Sequence, residues 1–195
     1  MINVTVVPPT DYIPMPWRNG AGTTIELIKR NYSDDVFAWR LSMADVVEDG
    51  LFSNFEHYDR TLLLLEGDGI TLQYNGQKTD ALSKPLEMAQ FKGEDHTKAR
   101  LHGGPIKDFN IMTRRGICHA KTTCGAGNSK SELLSTAATL LVFAVQGDVT
   151  VNSEAGDDVT VADQSLLVIE PAPIKKVRLS GAFIAVEIYR DAESG

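Results

Sequence analysis

The feature that most constrains how this chain can fold is that it repeats itself. Gly67-Asp68 recurs as Gly147-Asp148, an offset of 147 − 67 = 80 residues. Ile70-Thr71-Leu72 recurs as Val149-Thr150-Val151, and Lys98-Ala99-Arg100-Leu101-His102-Gly103 as Lys176-Val177-Arg178-Leu179-Ser180-Gly181. Asn110-Ile111 then lines up with Glu187-Ile188, the offset falling by one residue at each step. Ordered matches with a slowly drifting offset mark a duplicated unit of about 80 residues with small loop deletions. A unit that short, made of apolar runs and glycine turns, predicts a small β-barrel or sandwich present twice.

The local pattern agrees. Thr61–Glu66 and Ile70–Tyr74 are strand-like runs around Gly67-Asp68-Gly69, which reads as a hairpin. Asn75-Gly76 predicts a second tight turn, because both residues tolerate positive φ. The same grammar returns at Leu140–Val145 and Val149–Val151. Helical periodicity is confined to Ser131–Ala138, a short helix candidate. The polar, glycine-rich stretch Thr122–Ser131 reads as the linker. The expected organisation is an all-β chain with an N-terminal half over 1–121 and a degenerate copy over 122–195.

Composition narrows the function classes. With 195 residues the chain can bury a sizeable core. The formal charge of -7 repels phosphates, so neither nucleic acid nor an anionic membrane is an expected partner. No apolar run approaches the ~20 residues that span a bilayer. The start Met1-Ile2-Asn3-Val4 lacks a basic region and an apolar core, so no signal peptide is read there. Cys118 and Cys124 are too few for a disulfide framework, and the expectation is a cytoplasmic protein with reduced thiols.

Three segments could carry chemistry. In Trp17-Arg18-Asn19-Gly20-Ala21-Gly22-Thr23-Thr24-Ile25-Glu26, Arg18 offers a planar fork for a carboxylate, and Asn19 can donate and accept. A tight turn with Trp17 plugging the core explains the same residues. In Asp49–Arg60, Arg60 stands at the mouth of a strand, facing a ligand or pairing with Asp59 or Glu66. In Gly104–Gly116, alternation puts Asn110, Met112 and Arg114 on one face. That mixture suits a cavity with polar anchors in an apolar wall, or a solvent face. His57, His96, His102 and His119 form no His-x-His pair and Cys118-His119 lacks a CxxC partner, so neither metal nor cofactor is expected.

These residues resemble a known family. Trp17-Arg18-Asn19-Gly20-x-Gly22-Thr23-x-x-Glu26, Trp39-Arg40-Leu41-Ser42-x-Ala44, Asp49-Gly50-x-Phe52-Ser53-x-Phe55, Asp59-Arg60 and Asp108-Phe109-Asn110-x-Met112-x-Arg114-Arg115 are similar to the HutD/Ves family, with the Ves branch nearer. The resemblance implies a bicupin of two cupin-like (RmlC-like) halves, a cytoplasmic bacterial protein and no established enzymatic activity. The HutD branch implies a link to histidine catabolism, and the Ves branch a link by name to stress response. The cupin metal motif is missing from this sequence.

Family and residues together give the expected site: Trp17, Arg18, Asn19, Thr23, Glu26, Ser42, Phe52, Arg60, Asn110, Met112 and Arg114. The expected function is binding or sensing of a small acidic metabolite. Its carboxylate would be held by Arg60, Arg114 and Arg18, with hydrogen bonds from Asn110 and Ser42 and an apolar wall of Trp17, Phe52 and Met112. The alternatives are a metal-independent isomerase or hydrolase using Glu26 or His102 as base, or a structural role that includes a homodimer.

Overall fold

The computed structural model describes residues 3–17, 22–153, 158–171 and 176–192. In chain order the strands are β1 (Asn3–Val7), β2 (Ile13–Pro16), β3 (Gly22–Ser33), β4 (Val36–Val46), β5 (Gly50–Leu51), β6 (Tyr58–Glu66), β7 (Ile70–Tyr74), β8 (Lys78–Leu82) and β9 (Met88–Lys92). They continue with β10 (Thr97–Leu101), β11 (Ile106–Arg114), β12 (Cys118–Gly125), β13 (Lys130–Leu133), β14 (Thr139–Ser153), β15 (Val159–Val161), β16 (Leu166–Glu170) and β17 (Val177–Arg190). One 3-10 turn, Pro9–Asp11, is the sole helical element among the described residues. Among the described residues no helix is long and apolar enough to cross a membrane.

The chain divides into two compact units: Ile13–Ile117, and the residues through Tyr12 together with those from Cys118 onward. The first unit holds a six-stranded sheet, ordered β2-β3-β4-β11-β6-β9, and a four-stranded sheet, β5-β10-β7-β8. Alternate residues of both sheets meet in one core, with Ala44, Val46, Leu62 and Leu64 from one and Ile70, Leu72, Tyr74 and Ala99 from the other. The second unit is a seven-stranded sheet, β1-β16-β14-β17-β12, with β13 on β17 and β15 on β14. Its apolar core includes Leu140, Val142, Val149, Leu167, Phe183 and Ala185.

The sequence repeat survives as a repeat of strand pairing. Thr61 stands opposite Ile111 on β6 and β11, and Thr139 opposite Ile188 on β14 and β17. Those positions are related by 139 − 61 = 78 and 188 − 111 = 77 residues. A one-residue slip would turn every side chain to the other face, so matched register is strong evidence of common construction. A side-chain bond recurs too: Gln90 Nε2 donates to Thr61 Oγ1 (3.5 Å), and Thr139 Oγ1 to Glu170 Oε1 (2.8 Å).

Several local expectations are corrected by these pairings. Strands β6 and β7 do not form a hairpin: β6 pairs with β9 and β11, whereas β7 pairs with β8 and β10. Gly67-Asp68-Gly69 is a corner between sheets, with φ of 99° at Gly67 and 124° at Gly69. In the second unit the same corner lies inside the continuous β14, where the register shifts on both sides of Gln146. The Asn75-Gly76 turn does close the β7–β8 hairpin, with both φ values positive. The helix candidate Ser131–Ala138 is strand β13 followed by irregular chain, because Lys130–Leu133 pairs with β17. The expected linker Thr122–Ser131 begins within strand β12, through Gly125, and ends in β13, both laddered along β17.

The division also falls elsewhere than 1–121 and 122–195. The first strand, β1, pairs with β16, and the Tyr12 hydroxyl donates to the Gln164 carbonyl at 2.8 Å. The second unit thus recruits the start of the chain, a pairing far too distant in sequence for local patterns to reveal.

The Gly67 corner yields a first prediction. A Cβ at Gly67 would stand 2.7 Å from both Ile106 Cγ2 and the Pro105 carbonyl, and the backbone is left-handed there. Gly67→Ala is expected to destabilise the protein by about 1–3 kcal/mol in urea unfolding. An unchanged midpoint would show that the corner yields freely.

Candidate functional site

The first unit contains a cavity of about 570 Å³. Its wall is set by strand register. On β11 the alternate residues Asp108, Asn110 and Met112 point to one face, opposite Ala44, Ser42 and Arg40 of β4. Arg60 of β6 stands opposite Met112. Strand β11 is buried on both faces, since Phe109, Ile111 and Thr113 on the other side are as enclosed as Asn110 and Met112. The remaining wall includes Trp17, Thr24, Phe52, Ser53 and Phe55, with Glu48, Asp49, Gly50 and Leu51 as exposed lining residues.

Arg60 dominates the polar chemistry. It is 8% exposed, and its guanidinium carbon lies 5.2 Å from the ring centre of Phe52, 5.7 Å from Phe55 and 5.0 Å from Phe91. Such an aromatic cage suits a planar delocalised cation. Nη2 donates to Asn110 Oδ1 at 2.8 Å, and Asn110 Nδ2 donates to Asp108 Oδ1 at 2.5 Å. The amide of Asn110 thus joins the cation to the buried acid. Nη1 makes only a 3.5 Å contact with the Ser53 carbonyl. Arg60 Nε and Asp108 Oδ2 have no hydrogen-bond partner among the described residues.

Burial shifts both ends of this chain of contacts toward neutrality. Loss of water lowers Arg60 to about 10, with nearby Asp108 partly restoring it. The guanidinium remains charged at neutral pH. The same loss of water pushes Asp108 up to about 7, and Arg60 and the Asn110 amide hold it back from rising further. Asp108 therefore changes charge near neutral pH.

The other residues anchor the wall. Trp17 Nε1 donates to Thr24 Oγ1 at 2.8 Å. Gly22 is needed beside it, since a Cβ there would collide with the Asp45 carbonyl and press on the indole ring. Arg40 Nε lies 2.8 Å from Glu26 Oε2, and both side chains are nearly buried. Lys29 Nζ stands 3.6 Å from the other oxygen of Glu26. Glu26 is thus occupied with two cations.

Of the residues expected from sequence, the structure brings together Trp17, Ser42, Phe52, Arg60, Asn110 and Met112 in this wall. Arg18 and Asn19 lie outside the described residues. Thr23 is displaced by its neighbour Thr24, Glu26 is tied to Arg40, and Arg114 stacks over the Tyr58 ring at 5.5 Å, outside the wall. His102 is engaged with Thr71 at 2.8 Å, also outside it. Asp108 and Arg40 were missed by sequence reasoning. Each precedes a named residue, Asn110 or Ser42, by two positions on the same strand, so extending the alternation by one step would have found them.

The donor set does not suit a metal ion. The described wall residues include no histidine and present two guanidinium groups, which repel cations. Among the described residues no group of three or more His, Cys, Asp or Glu could hold one.

The second unit has diverged at the equivalent positions. Ala138, Glu187 and Ala185 stand where Arg60, Asn110 and Asp108 stand in the first. Phe183 fills that interior so closely that a Cβ at Gly125 would lie 2.5 Å from its ring. Glu187 is buried, with Tyr189 Oη donating to its Oε1 at 2.9 Å and Lys121 Nζ forming an ion pair with its Oε2 at 3.7 Å.

The family model HutD matches residues 9–185. An uncharacterized 21.2 kDa protein in the hutC 3' region of Pseudomonas putida is 40% identical over 150 residues, covering 76% of this chain and 77% of that protein. Protein Ves of Escherichia fergusonii is 41% identical over 109 residues, covering 54% and 55% respectively. With identities so close, the Ves and HutD branches are not separated. The solved structure of HutD from Pseudomonas fluorescens SBW25 superposes with a TM-score of 0.84 at 31% identity, over 97% of this chain and 100% of that one. The pirin YhhW of Escherichia coli, at 10% identity and a TM-score of 0.66 over 99% and 100% of the two chains, shares the cupin-like all-β fold alone. Family-model coverage, relatedness across three quarters of the chain and the shared fold agree: the chain belongs to the HutD family.

Proposed function

We propose that this protein binds a small carboxylate-bearing metabolite in the cavity of its first unit and serves as a sensor rather than a catalyst. The observation that carries the reading is Arg60, a buried guanidinium caged by three aromatic rings with Nη1 left almost unbonded. A carboxylate at Nη1 would complete it. Ser42 and Asn110 add polar contacts, and Trp17, Phe52 and Met112 supply apolar surface. A charge-assisted hydrogen bond contributes roughly 1.5–3 kcal/mol, so one or two with modest apolar burial give micromolar affinity at best.

One observation favours a second reading. Asp108, near 7, has the acidity that general acid–base catalysis at neutral pH requires, whereas Glu26 and His102 are engaged elsewhere. Turnover abolished by Asp108→Asn with binding retained would support an enzyme.

The binding reading is tested by calorimetry and thermal shift with short-chain carboxylic acids. At least one is expected to bind and to raise the unfolding midpoint in proportion to the logarithm of its concentration. If no acid in the series binds, the reading fails.

A further inference from the structure

The charges around the cavity decide more than the presence of an acid. Among the described residues five charged side chains line it: Arg40, Arg60, Asp108, Glu48 and Asp49. Arg40 is already matched by Glu26 at 2.8 Å. Among the described lining residues Arg60 is therefore the cation left to a ligand, and it shares the wall with Asp108. Glu48 and Asp49 are the exposed acids of the lining. Asp49 Oδ1 accepts from the Leu101 amide at 2.8 Å, and among the described residues no cation pairs with either carboxylate.

Building on the proposed binding of an acid at Arg60, we infer that the cavity selects monocarboxylates over dicarboxylates, with Glu48 and Asp49 as the specificity-determining residues. A single carboxylate uses up the free charge of Arg60. A second carboxylate on the same molecule finds no further free cation among the described lining residues and meets two acids of its own sign. A ligand whose far end is an ammonium group finds the opposite field. The rim charges are exposed, so each acts through solvent and is screened by salt. The expected discrimination is modest, about three- to tenfold in Kd at low ionic strength.

Titration calorimetry with three four-carbon probes of matched length tests this. Butyrate is expected to bind about three- to tenfold more tightly than succinate, and 4-aminobutyrate at least as tightly as butyrate. In the double variant Glu48→Gln/Asp49→Asn the three affinities are expected to converge to within about twofold. Asparagine at 49 keeps an acceptor for the Leu101 amide, so the rim loop retains its anchor. Raising the salt in the wild type should compress the ranking in the same direction. Succinate binding as tightly as butyrate overturns the inference, as does a ranking unchanged in the double variant. Either result leaves acid binding at Arg60 standing. If none of the probes binds, the selectivity falls together with the binding reading.

Discussion

Arg60→Met is expected to weaken binding of a small acid at least tenfold while moving the thermal midpoint by no more than a few degrees. The binding loss follows from removing the guanidinium that, among the described lining residues, is left open to a ligand, worth about 1.5–3 kcal/mol per charge-assisted bond. The stability balance is closer. Burial lowers Arg60 to about 10, equivalent to roughly 3 kcal/mol of unfavourable environment for its charge. Methionine relieves that cost and fills similar space against Phe52, Phe55 and Phe91. Against it stand the lost bond to Asn110 Oδ1, about 1–3 kcal/mol, and cation–π contacts of about 0.5–1 kcal/mol each. The two sides nearly cancel, and about 1 kcal/mol shifts the midpoint of a chain this size by only 2–4 °C. A collapse of stability would instead mark Arg60 as a structural strut. Calorimetry and a melting curve on the same preparation separate the two outcomes.

The second large effect belongs to Asp108 and depends on pH. Its folded-state value is raised from 3.8 to about 7. Below about pH 4 the group is protonated in both folded and unfolded chains and imposes no penalty. As pH rises toward 7 the unfolded chain ionises while the folded one keeps its proton, so stability is lost across that window. Above 7 the loss is complete. That loss amounts to about 4 kcal/mol. Asp108→Asn, which keeps the acceptor for Asn110 Nδ2, is therefore expected to gain stability over wild type between pH 5 and pH 7.5. Urea unfolding of both proteins across that range measures it, and contributions common to the two cancel in the difference. Parallel curves would mean that Asp108 ionises as freely in the fold as in water. An acid bound beside Arg60 screens the cation that now favours ionised Asp108, so binding should take up a proton and weaken as pH rises through 7.

Much of the site was legible because strands alternate. Arg60 at a strand mouth and Asn110 with Met112 on one face follow from period two, and they converge as that pattern implies. Thr23 shows where the pattern ends. Alternation says that Thr23 and Thr24 face opposite ways, but which faces inward depends on pairing. Thr24 stands opposite Ala44 on β4, and a register shift between Glu26 and Ile28 then resets the faces. Arg114 continues the face of Asn110 and Met112, yet stacks on Tyr58 instead of joining the cavity.

The sequence by itself determined that the protein is β throughout and built twice, since turn glycines and apolar runs recur locally at a drifting offset. It also supplied the residue types of the site. Only the tertiary structure decided that β1 joins the second unit and that Gly67-Gly69 turns a corner between sheets. These outcomes rest on pairing between residues far apart in the chain. Phe183 fills one interior, whereas Asn110, Asp108 and Arg60 line the other, and no local pattern records which side chains will share a space.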